Sequence, residues 1–443
     1  MRRYRLILPA LLMSVSLSAC SAWNWLGRDE EEKPLPGNRI SVLEYGDTLR
    51  PDEDALSAYE VPEAWANDIW PQAGGYPNHA MQNLALSKGE LKKVWRSSIG
   101  TGARKRLPLT AQPVVVGKSV FTLDTSATLN AFSTEDGKRR WSVKVGTEAE
   151  KDPVISGGIA SEAGMIYVTA GYEEVLCIDA ANGQIKWRAK LPNASRAAPT
   201  VMSGRVFVTT LSNSVLALDA ANGAVLWEYS GLSTSTGLVG AASPAATTDM
   251  VVPAFSSGEI FALRAGNGSV AWSDNLASSL QLGGITALSD IRGLPVIDND
   301  IVYAISFGGK MAAIDLRTGA RVWQRDIGGA ETPWIAGDRL FVITSEAQIV
   351  SLDKKDGAVQ WVSQLARYQN KERREGPIIW SGPVMAGGRL LAFSTDGRVA
   401  EIDASKGNLI REWSAGDGVQ IDPIVAGGTL YILDNDGDLT AYR

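Results

Sequence analysis

The sequence predicts an all-β ring of repeated four-stranded sheets, and three observations predict it. First, eight tryptophans recur at a near-constant interval: Trp95, Trp141, Trp187, Trp227, Trp272, Trp323, Trp361 and Trp413. The steps are 46, 46, 40, 45, 51, 38 and 52 residues, a period that belongs to stacked or radial arrays. Second, each segment before a Trp holds four apolar runs of strand length separated by turn residues. Residues 199–227, PTVMSGRVFVTTLSNSVLALDAANGAVLW, are the cleanest copy. Third, the turn before the Trp is chemically constant. Asp179, Asp219, Asp315, Asp353 and Asp403 each stand four residues ahead of a glycine. A short acidic side chain can cap nearby amides there, and glycine permits the reversal. Four strands per unit with a Trp in the last describe the blade of a β-propeller.

The elements follow in chain order. Residues 1–19 read as a lipoprotein signal peptide. Arg2, Arg3 and Arg5 make a charged start, and an apolar run from Leu6 to Leu17 follows, too short for a stable span. Residues 20–60 read as a flexible tether carrying the acidic run Asp29-Glu30-Glu31-Glu32 and then Pro34 and Pro36. Residues 61–90 read as a segment that packs on the ring's side or face. Residues 91–443 read as the ring itself.

Seven complete units end at Trp141 through Trp413. In six of them the Trp follows the turn glycine by four residues. Trp413 follows Gly407 by six, an even shift that keeps the side chain on the same face of its strand. After Trp413 only three further strands remain. The missing outer strand is Leu91-Lys92-Lys93-Val94-Trp95 at the other end of the sequence. Its pairing with the C-terminal strands closes an eight-bladed β-propeller and covers edges that would otherwise be open.

Composition excludes several function classes. The formal charge of −6 makes a poor nucleic-acid binder. The single histidine, His79, lies before the ring, so a Ser-His-Asp triad has no placed base and zinc has no ligand set. We assign no catalytic residue, no metal ligand and no cofactor. The two cysteines are Cys20 and Cys177. Cys177 replaces the alanine of other blades and reads as a core residue. Asp434-Asn435-Asp436-Gly437-Asp438 has calcium-loop spacing, but it occupies a hairpin position and lacks the distant Glu of an EF-hand.

Binding is expected on one face. Strand direction alternates within a blade, so blade-to-blade connectors share a face with the hairpins joining second and third strands. Nearly all the length variation falls there, at residues 97–108, 230–243, 273–294 and 362–377. Gly237-Leu238-Val239-Gly240 is an apolar tip, and residues 283–292 set apolar side chains beside Asp290 and Arg292. Arg104-Lys105-Arg106 and Arg367 through Arg374 add basic stretches.

Two resemblances can now be stated. Leu17-Ser18-Ala19-Cys20 resembles the bacterial lipobox. It implies cleavage before Cys20, lipidation of that residue, and, with Ser21 following, a place under the outer membrane on its periplasmic side. The lipobox, tether and eight blades together resemble the BamB family of outer-membrane assembly lipoproteins, over residues 1–20 and about 90–443. The family resemblance implies a non-enzymatic scaffold that docks on a periplasmic POTRA domain of BamA within the Bam complex and helps barrel precursors fold and insert. Its docking pattern falls on Leu238, Val239 and Gly240 before the fourth blade, and on Leu288, Asp290 and Arg292 before the fifth. Val239 stands where the family has Arg, and Arg292 where it has Asp. The repeat also resembles quinoprotein propellers, whose pyrroloquinoline quinone is clamped by a disulfide of adjacent cysteines. Cys20 and Cys177 cannot form one. A quinone-dependent enzyme and an envelope adaptor with another partner are the rival readings.

Overall fold

The computed structural model describes residues 49–146, 155–234, 237–277 and 289–443. Among the described residues the ring comprises eight four-stranded antiparallel sheets. Blades one to seven each take four consecutive strands, from Val114–Val116 at the centre of blade one to Leu409–Ser414 at the rim of blade seven. Blade eight joins Ile424–Ala426, Thr429–Leu433 and Asp438–Tyr442 to the N-terminal strand Lys93–Ser98. Trp95 pairs with Ala441, and Lys92 and Arg443 exchange backbone hydrogen bonds of 2.7 and 2.9 Å. The two ends of the ring thus share one sheet, and no edge is left there for a second chain.

The Trp repeat explains why blades stack. In each of the first six Trp-bearing blades, and in blade eight through Trp95, the indole N–H donates to a carbonyl in the next blade's last turn. Trp187 to Ala220 is 3.1 Å and Trp272 to Leu316 is 2.7 Å. The same ring lies flat on that turn's glycine. A Cβ on Gly223 would sit 2.7 Å from the Trp187 ring, and φ there is +76°. Only glycine meets both conditions. The turn aspartate caps as its chemistry requires: Asp219 Oδ1 accepts the Ala221 N–H at 2.8 Å, and its carbonyl accepts the Gly223 N–H at 2.8 Å.

Blade seven departs from this plan. Arg411 occupies the register position of the usual Trp, opposite Glu401, and Trp413 lies two residues on, opposite Val399. The Glu401 carboxylate, 1% exposed, takes Arg389 Nε at 2.7 Å, Arg411 Nη2 at 2.8 Å and the Trp413 indole at 2.8 Å. The two arginines also donate to the carbonyls of Ser87 and Gly89. A buried ion cluster therefore replaces the stacking joint where the chain enters the ring.

Residues 62–86 cross one end of the central channel. They form hydrogen bonds to the innermost strand, or the turn just after it, of every blade. Trp70 exchanges backbone bonds with Val115 of blade one, and Ser161 N–H donates to Pro71. Val201 N–H donates to the Gln72 side chain at 2.8 Å. Ala246 and Ile297 donate to the carbonyls of Pro77 and Asn78. Gly337 donates to Gln82 Oε1, Leu84 bonds Met385 and Gly387, and Asn67 bonds Val425 and Gly427. This segment is a plug. Trp70, Met81, Leu84 and Leu86 enter the hydrophobic core of the ring. Their burial contributes on the order of 10 kcal/mol before ordering costs.

The plug contains His79. Its Nδ1 lies 2.7 Å from the Pro295 carbonyl, so that nitrogen carries the proton, while Nε2 is buried with no partner. Burial lowers its pKa to about 4. His79 is thus a neutral structural peg.

The tether ends earlier than residue 60. Residues 50–60 lie along blade six, where Asp52 bonds the Val359 backbone in both directions at 2.8 and 2.9 Å. Arg339, 1% exposed, bonds Asp353 and the Ser57 carbonyl, with its guanidinium 5.3 Å from the centre of the Tyr59 ring. Val359 is consequently 5% exposed, whereas Val225 at the same place in blade three is 51% exposed. The acidic and proline-rich composition ahead of residue 50 gave no sign of this contact, which rests on Asp52, Ser57 and Tyr59.

Candidate functional site

The connectors gather on the face opposite the plug. The two that carry the apolar motifs are tied by one hydrogen bond: Leu238 N–H donates to Asp290 Oδ2 at 2.5 Å. The Asp290 carbonyl accepts the Phe307 N–H at 2.9 Å, and the neighbouring Ile291 side chain is buried in the core between blades four and five. Asp290 is itself only 4% exposed. Burial raises its carboxyl pKa, opposed by the Leu238 N–H and the Arg292 charge. Asp290 therefore does not present a carboxylate to a partner. It holds the Leu238-Val239 tip in place from beneath.

Val239 is 51% exposed at that tip, Leu232 is 65% exposed just before it, and Leu211 of the blade-three hairpin is also exposed. Leu238 is half-buried. Leu288 lies outside the described residues, as does Cys20. Arg292 is turned to the channel rather than outward. Its Nη1 is 3.2 Å from Glu331 Oε1. Glu331 in turn shares a hydrogen bond with Asp422, which accepts the Gly382 N–H at 2.7 Å. Burial raises both carboxyl pKa values against the pull of Arg292. Arg292 is thus a structural cation inside the ring, not a free contact residue.

This triad, with Glu331 buried and Arg292 and Asp422 half-buried, lines a cavity of about 420 Å³ on the channel axis. Its walls come from connectors all round the ring, and Ala73 and Gly74 of the plug contribute at its base. Gln112 ties base to wall, accepting from the Trp70 indole at 3.2 Å and the Gly74 N–H at 2.9 Å. A second cavity of about 180 Å³ lies between the blade-three hairpin and the tip before blade four. Arg196, Leu238, Gly240 and Ala241 line both.

The other sequence candidates resolve plainly. Cys177 is 2% exposed opposite Trp187, and burial raises its thiol pKa. The aspartates near residue 434 form a hairpin turn, with Asp434 Oδ1 accepting the Asp438 N–H at 2.9 Å. Arg96 supplies the cation, at 2.5 Å from Asp438 and 3.5 Å from Asp434. The connector at 362–377 contains a small hairpin of its own, Tyr368–Asn370 with Glu375–Pro377. The residues sequence reasoning missed are Arg196, Glu331 and Asp422. Each is a single charged residue in a non-repeating connector, with nothing local to mark it.

Comparison with known proteins agrees with this architecture. The family profile described as "Outer membrane protein assembly factor BamB" matches residues 82–160 and 154–363. One described as "Glucose/ethanol/alcohol dehydrogenase, beta-propeller domain" matches residues 326–429. Outer membrane protein assembly factor BamB of Salmonella typhimurium is 29% identical over 353 residues, 79% of this chain and 88% of that protein. The Xanthomonas campestris protein of the same name is 30% identical, covering 80% of this chain and 86% of its own length. The crystal structure of BamB from Moraxella catarrhalis superposes with a TM-score of 0.69 at 20% identity, covering 80% of this chain and all of that one. Quinohemoprotein alcohol dehydrogenase from Comamonas testosteroni superposes at 0.65 with 13% identity, over 86% of this chain and 81% of its own, a likeness of fold alone. The chain belongs to the BamB family of outer membrane protein assembly factors.

Proposed function

We propose that this protein is a non-enzymatic scaffold of the outer-membrane β-barrel assembly machinery that docks on a periplasmic POTRA domain of BamA through the connectors before blades four and five. The observation that carries this reading is the Asp290–Leu238 bond, which fixes an apolar tip at the rim of an otherwise regular ring. Exposed apolar side chains at Leu232 and Val239 have a use if a partner covers them. In the docked state Leu238, Val239 and Leu288 would supply apolar contact, with Asp290 and Arg292 acting from below. Lipid on Cys20 would hold the protein under the outer membrane, and the residues before 50 would give it reach. Within the assembled machine the scaffold would help orient the complex or hand over unfolded barrel precursors.

The quinone-dependent alternative lacks its residues. The clamp needs adjacent cysteines, and the ring carries only Cys177, sealed between strands. The test of the docking reading is co-purification with BamA from the native envelope. The double change Leu238→Glu, Asp290→Arg should abolish it while the ring stays folded. Undiminished recovery of BamA would defeat the assignment.

A further inference from the structure

We propose that Arg196 is the charged anchor of the docking face and receives a carboxylate from an acidic-apolar segment of the protein partner. This rests on the reading that the connector face docks a protein.

Three observations point to Arg196. It is half-buried, yet among the described residues it has neither a hydrogen bond nor an ion pair. Most other half-buried arginines of this ring are paired, among them Arg188 with Glu174 at 2.9 Å, Arg292 with Glu331 and Arg321 with Asp274 at 2.6 Å; Arg205, beside the first turn of blade three, also lacks a partner among the described residues but lines neither cavity. A guanidinium partly withdrawn from water without a partner is an electrostatic debt that a ligand can settle. Second, its position is shared. Arg196 lines the axial cavity and also the smaller cavity under the blade-four tip, so it stands on the ridge between them. Third, its surroundings combine apolar side chains with the hydroxyls and amide of Thr209, Thr210, Asn213 and Ser256. Leu238, Ala241 and Ala242 flank the smaller cavity, and exposed Leu211, Leu232 and Val239 lie on the same connector face. Asp290, the carboxylate that lines the smaller cavity with it, is already bound to the Leu238 N–H.

A protein segment fits this chemistry better than a free anion. A small anion would use Arg196 but leave the apolar rim exposed. A carboxylate side chain flanked by an apolar one satisfies both, the first on the guanidinium and the second against exposed Leu211, Leu232 and Val239. The arrangement has the form of a binding hot spot, a half-buried arginine beside exposed apolar side chains.

The test measures binding of the full chain to the purified periplasmic domains of BamA from the same organism. Arg196→Ala should weaken the complex by about 30-fold or more, the cost of removing one partner of a desolvated charge pair. Arg196→Lys should retain binding to within about tenfold, since it keeps the charge and loses the fork. Thermal unfolding should be the same for all three proteins, because Arg196 holds nothing else in place. A charge swap gives the decisive arm: one acidic residue of the partner, changed to Arg, should restore binding to Arg196→Glu. If Val239→Glu abolishes binding while Arg196→Ala changes it less than about threefold, the inference falls and the docking reading stands. If Val239→Glu and Leu238→Glu both bind normally, the docking reading fails and takes this inference with it. Release of the complex by millimolar inorganic phosphate without rescue by any partner swap would mark a free-anion site and overturn the proposal.

Discussion

Replacing Trp70 with Ala tests whether the plug holds the ring together. Trp70 is 1% exposed, its indole donates to Gln112, and its ring stacks on Trp334 with centroids 6.5 Å apart. Trp334 in turn donates to the Gln82 carbonyl, so this pair links blade one, blade six and two parts of the plug. The site is sealed on all sides and cannot collapse easily. Loss of an aromatic side chain in such a place costs about 3–5 kcal/mol. Unfolding entropy near the midpoint is about 2.1 cal/mol/K per residue. For a compact unit of roughly 390 residues that is about 0.8 kcal/mol/K, so the melting temperature should fall by about 4–6 °C. Differential scanning calorimetry on the full chain reads this directly. Partner binding at 25 °C should be unchanged, because the plug and the connectors occupy opposite faces. A melting temperature within about 1 °C of the parent would refute the coupling of plug and ring. A folded variant that no longer binds would refute the division of labour between the two faces.

Three further predictions follow from the same structure. Removing everything before residue 96 strips the plug, Trp95 and the first half of the outer strand of blade eight, including the joint with Ala441; the truncated chain should aggregate or melt well below the parent, and equal melting would show the ring closed without those residues. Glu401→Ala leaves Arg389, 4% exposed, without its carboxylate, and should cost about 3–5 kcal/mol in urea unfolding, whereas an apolar replacement of the whole cluster should cost far less. His79 has a lowered folded pKa of about 4 against an ordinary 6.5. Between those values the unfolded chain binds more protons, so stability is full above pH 6.5 and declines as pH falls toward 4; His79→Gln should flatten that part of the curve, and an unchanged profile would contradict the buried-neutral assignment.

Much of the fold was legible because its joints are chemically periodic. Every repeat Trp but Trp413 packs on a glycine in the next blade, so two residue types at fixed spacing mark every interface except the one after blade seven. The offset at Trp413 was visible too, although its cause was not: Arg411 sits four residues after Gly407, in the slot of the missing Trp, and its partner Glu401 replaces a small residue on the neighbouring strand. The packing of residues 61–90 on the ring was expected, but their place across the channel was illegible for the opposite reason. Their bonds run to eight different strands, and a residue such as Gln72 gives no local hint that its amide reaches Val201. The docking face was half legible. Leu238 and Val239 declared themselves as an apolar tip in a long connector. Asp290 read as a surface charge because its partner, the Leu238 N–H, is 52 residues away. Arg292 misled in the same way, since Glu331 that binds it lies in the next connector. Arg196 was invisible, because what distinguishes it is a missing partner.

The central claim is that the ring and plug are framework and the irregular connectors do the binding. Hydrogen exchange of the full chain, with and without the periplasmic domains of BamA, tests it most directly. Slowed exchange should appear at residues 192–197, 231–243 and 289–294, with residues 62–86 unchanged. Protection confined to the plug face, with the connectors exchanging as in the free protein, would contradict it.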